Sequence, residues 1–317
     1  MKEVRLYLVL LAALMVAAYL SWTHEDKAET ETKVTLLDTP VESIEGLRFY
    51  TKTSTVVLSF RTEGEDRFPW FELKNSKKGR AFAGSDKVDE LLKDFAPFEA
   101  LRSLGKDLGK DELALTGLDK PERKLVVVLK GREKVFEVGK RTAGARDHYV
   151  RAQGAPEVYL VASRILADLE FPEGKFMQRK LRDAEKTEVA KVAITAGPDT
   201  KVALQQNRLS TKDAFWATED KPEDKDEALG NFIEKLEKLT ATEYADDPRD
   251  FEAAVPVLEA TWYSEGNETL GRVALRRKGE GKTATYFAKS PDSHLPVQVS
   301  RFTAEQLERD AASVLKD

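Results

Sequence analysis

The chain has 317 residues, a length that suggests about two domains, and 41% hydrophobic residues, enough for packed cores. Charged residues reach 34%, above the usual quarter or so, yet 51 Lys and Arg against 56 Asp and Glu leave a net charge of only −5, which excludes a general nucleic-acid binder. There are no cysteines and only three histidines, far apart. Disulfides, thiolate metal sites, cysteine nucleophiles, a lipid-modified N-terminal cysteine and histidine-rich metal sites are thereby excluded, and no cofactor or metal is expected.

The N-terminus reads as a membrane anchor. Lys2 and Arg5 precede an apolar run from Leu6 to Leu20 that Ser21 and Trp22 close. As a helix, Leu6–Trp22 would rise roughly 25 Å, slightly short of a ~30 Å hydrocarbon core. Leu6, Leu10 and Leu14 lie along the run, and Tyr19 and Trp22 stand where an interfacial aromatic belt belongs. The two basic residues place the N-terminus in the cytoplasm and everything after Trp22 outside. A signal peptide cleaved after Ala18, with Val16 at −3, is the competing reading, and it also exports the body of the protein. The absence of a polar face in the run argues against a buried soluble helix.

After a polar linker over 23–36, the residues 37–170 read as a first α+β module. Ile44–Tyr50 and Thr55–Arg61 are β-rich, and Phe68–Leu73 carries Trp70. A helix follows with Ser85 as its N-cap and Val88, Leu91, Leu92 and Phe95 on one face. Strands are expected at Lys124–Lys130, Lys134–Val138, His148–Ala152 and Glu157–Val161, then a short helix with Ser163 as its N-cap. The segment 171–186, rich in Lys and Arg, reads as a solvated connector.

Residues 187–317 repeat that order. Val189–Thr195 and Lys201–Gln206 are strand-like, and Ala214–Glu219 carries Trp216. Leu229, Phe232, Ile233, Leu236 and Leu239 form a helical stripe. Strands Val257–Tyr263, Gly271–Arg277, Thr283–Ala288 and Val297–Ser300 follow, and a last helix opens on a Thr303/Gln306 capping box. Trp70 to Trp216 is 146 residues and Ser163 to Thr303 is 140, so order and spacing agree. The expected fold is α+β: an N-terminal transmembrane helix, then two tandem repeats of an antiparallel sheet with packed helices. The matched tryptophans are expected to plug the helix–sheet cores.

The first module carries Trp70 on its strand, then Gly117-Leu118-Asp119-Lys120-Pro121, Tyr149-Val150-Arg151 and Val158-Tyr159-Leu160-Val161. With the single anchor, this pattern resembles the bacterial domain-of-unknown-function family numbered 4340 over nearly the whole chain. The resemblance implies a membrane-anchored envelope protein, of a family often encoded beside an ABC-transporter ATPase, a permease and a gliding-motility-type auxiliary subunit, and hence an accessory role in an ABC-type export or envelope machine; it transfers no catalytic residues. In the second module, Tyr244-Ala-Asp-Asp-Pro248 stands in place of the Gly-Leu-Asp-x-Pro element. Read physically, Gly117 permits positive φ, Asp119 hydrogen-bonds nearby backbone and Pro121 fixes the entry to a strand, which makes a helix-to-strand turn.

Other motifs carry less chemistry. Gly279-Glu-Gly281-Lys282-Thr283 lacks the first glycine of a phosphate-binding loop and reads as a β-hairpin turn. Asp147-His148 with Ser163 lacks a nucleophile elbow. The acidic clusters Glu219–Glu227 and Asp246, Asp247, Asp250 lack Ca²⁺-loop spacing, and the first places negative charge at a helix N-terminus. Asn267-Glu268-Thr269 matches a short glycosylation sequon. The sequence thus points to a non-enzymatic, extracytoplasmic accessory or scaffold protein. Its expected partners are the cytoplasmic membrane and ABC-transporter permease or auxiliary subunits. The alternative is an exported glycan- or lipid-binding module using exposed Trp262, Tyr263 or Tyr286; a divergent envelope hydrolase ranks third.

Overall fold

The computed structural model describes Met15 and residues 33–75, 79–106, 108–144, 146–210 and 212–316. Two compact units emerge. One holds the described residues up to Ile44 together with Leu92–Ala167; the other holds Glu45–Leu91 with the described residues from Asp168 onward. The anchor residues Leu6, Leu10, Leu14, Tyr19 and Trp22 lie outside the described residues. Among the described residues, no helix is long and apolar enough to cross a membrane.

In the first unit, β1 (Val34–Leu37) pairs antiparallel with β6 (Phe98–Ala100). Five more strands are β7 (Arg102–Gly105), β8 (Arg123–Leu129), β9 (Arg132–Arg141), β10 (Asp147–Ala152) and β11 (Val158–Ala162). They lie in the order β8-β9-β10-β11-β7. Leu125, Val126 and Val127 are all buried, so β8 is covered on both faces and reads as a continuous apolar run rather than an alternating one. Phe98 packs between Phe95 and Phe136, with ring centroids 5.2 and 5.1 Å away. Helix α2 (Lys110–Thr116) lies against β9. The approach requires Gly139, because a Cβ there would overlap the Thr116 carbonyl oxygen. β11 runs directly into α3 (Ser163–Glu170).

The second unit opens with β2 (Ile44–Tyr50), β3 (Ser54–Glu63), β4 (Asp66–Asn75) and β5 (Gly79–Ala83), ordered β5-β4-β3-β2. Helix α1 (Val88–Lys93) follows and buries Val88, Leu91 and Leu92, as its i, i+3, i+4 spacing predicts. Later come β12 (Lys191–Ala196), β13 (Asp199–Gln206), β14 (Phe215–Thr218), β15 (Ala241–Tyr244), β16 (Val255–Tyr263), β17 (Thr269–Lys278), β18 (Thr285–Lys289) and β19 (Val297–Val299). Their order is β14-β13-β12-β16-β17-β18-β19-β15. Helix α5 (Glu227–Glu237) is capped by Asp226, whose carboxylate accepts the Leu229 N–H at 2.9 Å, so the acidic cluster does serve a helix N-terminus. It lies along α7 (Arg301–Val314), joined by a 2.6 Å Lys235–Asp310 ion pair. Phe232, Ile233 and Leu236 of α5 and Leu307 of α7 are buried, each contributing roughly 1.5–3 kcal/mol.

The strand orders recur. β7 precedes β8 in sequence yet closes the run after β11; β15 precedes β16 yet closes the run after β19. Likewise β4-β3-β2 is matched by β14-β13-β12. A helix stands between β5 and β6 and between β14 and β15, another before β8 and before β16 (α6, Arg249–Glu252), and another after β11 and β19. Among the described residues, β5 and the β1–β6 pair have no counterpart.

The connector 171–186 is not a solvated tether. It forms α4 (Pro172–Phe176) and then an extended stretch tied on two sides. Ser85 N–H donates to the Phe176 carbonyl at 2.7 Å and Gln178 N–H to Ala83 at 2.9 Å, while Ala241 N–H donates to Arg179 at 2.9 Å. Phe176, Met177 and Leu181 are buried. Its cations are engaged internally: Lys175 with Asp168, Lys180 with Asp183, and Arg182 and Lys186 with Glu237. The stretch makes isolated antiparallel bridges, Met177 to Gly84 and Lys180 to Thr240.

Three predicted caps differ. The hydroxyls of Ser85 and Ser163 are buried with no hydrogen-bond partner among the described residues, and their amides are committed to the Phe176 and Arg146 carbonyls. The last helix begins at Arg301, two residues before Thr303, so no capping box forms there.

Candidate functional site

One cleft lies in the second unit, between the tip of the β3–β4 hairpin and the β18–β19 connection. That connection, Ser290-Pro-Asp-Ser-His-Leu-Pro296, is longer than a hairpin needs. It is nonetheless fixed. Ser290 and Ser293 are buried, and each backbone N–H donates to the other's hydroxyl at 3.0 Å. The Tyr244 hydroxyl donates to the Ser293 carbonyl at 3.1 Å, and Ala245 N–H donates to the Pro296 carbonyl at 3.0 Å. Burial raises the Tyr244 phenol well above its ordinary value, so it remains a donor.

This wiring holds His294 in the left-handed region at φ 57°, an uncommon backbone for a residue other than glycine. The imidazole lies flat on Phe68, and its Nδ1 is 3.4 Å from the Glu63 carboxylate. Asp292, half-buried beside it, accepts the Asp183 N–H at 3.2 Å; desolvation raises its carboxyl above the usual range, with repulsion from Asp183 adding to it. Above them opens a cleft of about 460 Å³ floored by Phe251, Ala274 and Pro291. Glu63 and Asp66, paired across the hairpin turn, form one wall, and Arg272 and Lys289 form another. The Ser290 hydroxyl is held by Ser293, so what the cleft offers is an apolar surface between opposite charges rather than a free nucleophile.

Trp70 belongs to the seam behind this cleft. It is buried edge-on between Phe68 (6.3 Å) and Tyr244 (6.5 Å), with the Arg61 guanidinium 3.9 Å above its ring. The seam continues from Tyr244 to Phe82, Phe71 and Phe176 at 6.4, 5.0 and 5.8 Å. The ring partners of Trp70 come from β4 and β15 rather than from a helix. Trp216 occupies the matched strand position but is only half-buried, with its ring beside Gly230 of α5.

The Gly-Leu-Asp-x-Pro element is the expected helix-to-strand turn, but among the described residues the Asp119 side chain makes no hydrogen bond in it. Gly117 (φ 73°) ends α2, its N–H donating to Ala114 at 3.2 Å and that of Leu118 to Leu113 at 3.0 Å, a Schellman pair. Asp119 is exposed and Pro121 half-buried on the way into β8. Arg151 of the Tyr-Val-Arg strand donates to the Leu118 carbonyl at 3.0 Å and pairs with Glu137 at 2.5 Å, so the two motifs are one structural knot. The Gly279–Thr283 stretch links β17 to β18 as a turn.

A family model described as Domain of unknown function (DUF4340) matches residues 70–256. The chain belongs to this family. A search of curated proteins found no match. The DUF4340 match begins at Trp70 and takes in the Gly117–Pro121 knot, the connector and Trp216; the His294 connection lies beyond it.

One reading of individual residues is corrected. Trp262 (1% exposed) and Tyr286 (3%) are buried and offer no aromatic platform for a glycan or lipid; Tyr263 is half-buried. His148 is fully buried, its Nδ1 3.3 Å from Arg123 and its Nε2 3.3 Å from Arg141, while the Ser163 hydroxyl has no partner among the described residues. Those contacts do not form a Ser–His pair. The cleft residues His294, Phe68, Glu63, Asp66, Arg272 and Lys289 were not singled out from sequence. The one signal was the length of the Ser290–Pro296 connection.

Proposed function

We propose that this DUF4340 chain is a membrane-anchored extracytoplasmic accessory protein that acts by protein–protein binding, as a scaffold in an ABC-type transporter or envelope complex. Leu6–Trp22 is its anchor, and the body is two tandem copies of one α+β module outside the cytoplasmic membrane. The recurrent strand order supports duplication. The observation that carries the binding role is the cleft itself: an apolar floor between oppositely charged walls, on a loop fixed by Ser290, Ser293 and Tyr244. Rigid, pre-organised surfaces of mixed character suit partner recognition, because little ordering cost remains to be met on binding.

The test is a mild-detergent purification of the full-length protein from its native membranes, with co-purifying chains identified by mass spectrometry. An ABC permease and ATPase in fixed ratio are expected. Recovery of the protein alone, with the complex shown to survive the detergent, overturns the reading. So does membrane association that persists after deletion of residues 1–22.

A further inference from the structure

The floor of the cleft is more than a gap. Phe251 and Ala274 belong to a separate small apolar cluster with Ala254, Phe287 and Ala245, so the cleft opens onto an apolar patch of its own. Ala274 and Lys289 are ladder partners of β17 and β18, and Arg272, two residues before Ala274, points to the same face. Arg272 is paired with Glu259, and Glu63 faces His294. The side chains of Asp66 and Lys289, both exposed and on opposite walls, have no hydrogen-bond or ion-pair partner among the described residues.

We propose that this cleft docks a polypeptide segment presenting one apolar side chain between a basic and an acidic residue. Charge complementarity selects that occupant. A purely anionic ligand meets Glu63 and Asp66, and a purely cationic one meets Arg272 and Lys289, each against like charge. An uncharged apolar ligand would desolvate both walls without pairing them. A mixed-charge segment gives Lys289 an acid, Asp66 a base and Phe251 an apolar anchor. The volume of about 460 Å³ suits one anchoring side chain with its flanks. The inference rests on the protein-binding reading above and names its site.

The experiment uses the full chain in mild detergent and calorimetric titration with acetylated, amidated peptides. The probes are Gly-Lys-Gly-Leu-Gly-Glu-Gly and its reversed order; the controls replace the charged residues by Gln or the Leu by Gly. At least one mixed-charge probe is expected to bind about ten-fold tighter than either control, with Lys289→Glu and Asp66→Lys each weakening it by about ten-fold. A probe with Lys in place of its Glu should restore binding to the Lys289→Glu variant. Equal binding of probes and controls, or indifference to both charge reversals, overturns the inference. Lys289-dependent binding of phosphatidylethanolamine vesicles without peptide binding overturns it in favour of a headgroup site. Failure here is separable from failure of the scaffold reading. If native partners co-purify equally with wild type and Lys289→Glu, the scaffold stands and this site falls. If no partner co-purifies with wild type, the scaffold falls and the titration alone decides the cleft.

Discussion

The imidazole of His294 stacks on the ring of Phe68 with centroids 3.5 Å apart and planes 8° from parallel. The contact joins the β3–β4 hairpin to a loop more than two hundred positions later in the chain, and it does so from a left-handed backbone. Its energy is separable from the strain. His294→Gly loses the stack but relieves the backbone, whereas His294→Ala loses the stack and keeps the left-handed conformation. We expect His294→Ala to be less stable than His294→Gly by about 1 kcal/mol. A double-mutant cycle with Phe68→Leu should return a coupling of about 0.5–1.5 kcal/mol in denaturant titrations. Equal stability of the two His294 variants would show that the loop relaxes.

His148 ties stability to pH. Burial, reinforced by Arg123 and Arg141, depresses its pKa from 6.5 to about 4. The unfolded chain therefore binds the proton first, and stability is complete above about pH 6.5 and lost as pH falls toward 4. Between pH 7 and pH 5 this group should cost about 2 kcal/mol. His148→Gln, which does not titrate, should flatten that part of the profile; an unchanged pH slope would assign the loss elsewhere.

Gly117 and Gly139 sit at the same helix end for different reasons. Alanine at 117 must adopt φ 73° and crowds Lys140, at about 1–2 kcal/mol. Alanine at 139 drives a Cβ into the Thr116 carbonyl, so the helix or strand must move, and we expect about 2–3 kcal/mol. Thermal unfolding of the two variants should rank Gly139→Ala below Gly117→Ala. The reverse order would mean that α2 shifts freely.

Arg151 unites two motifs that the sequence presents as separate. Arg151→Lys keeps the charge opposite Glu137 but loses the fork that also reaches the Leu118 carbonyl, and should cost about 1–3 kcal/mol. Amide exchange at Gly117 and Leu118 should accelerate in this variant. If it does not, the Schellman turn stands without Arg151.

Where apolar patterning was long and regular, the elements were legible. Ile44–Tyr50 is a strand with those bounds, and Val88, Leu91 and Leu92 face inward as their spacing requires. Short elements were not. β15 offers only Ala-Thr-Glu-Tyr before an acidic, proline-ended turn, and β5 begins on Gly and Arg; both are strands because neighbours pair with them, which no local pattern encodes. The two tryptophans hold matched strand positions, yet Trp70 is set by Tyr244 and Arg61 from outside its own strand. The cleft was the least legible part. Glu63, Asp66, Lys289 and His294 have no periodicity or motif in common, and only tertiary pairing brings them together.

The aromatic seam also sets a clock on the ribosome. Trp70 closes against Tyr244, a residue made 174 positions later. At about 5–20 residues per second, that separation is roughly 10–35 s of synthesis. Throughout that interval Phe68, Trp70, Phe71 and Phe82 lack the late half of their packing, although β3, β4 and β5 are already made and free to pair. The emerging chain must therefore be kept from self-association until its C-terminal half arrives, and truncation anywhere before Tyr244 leaves the same surface open for good.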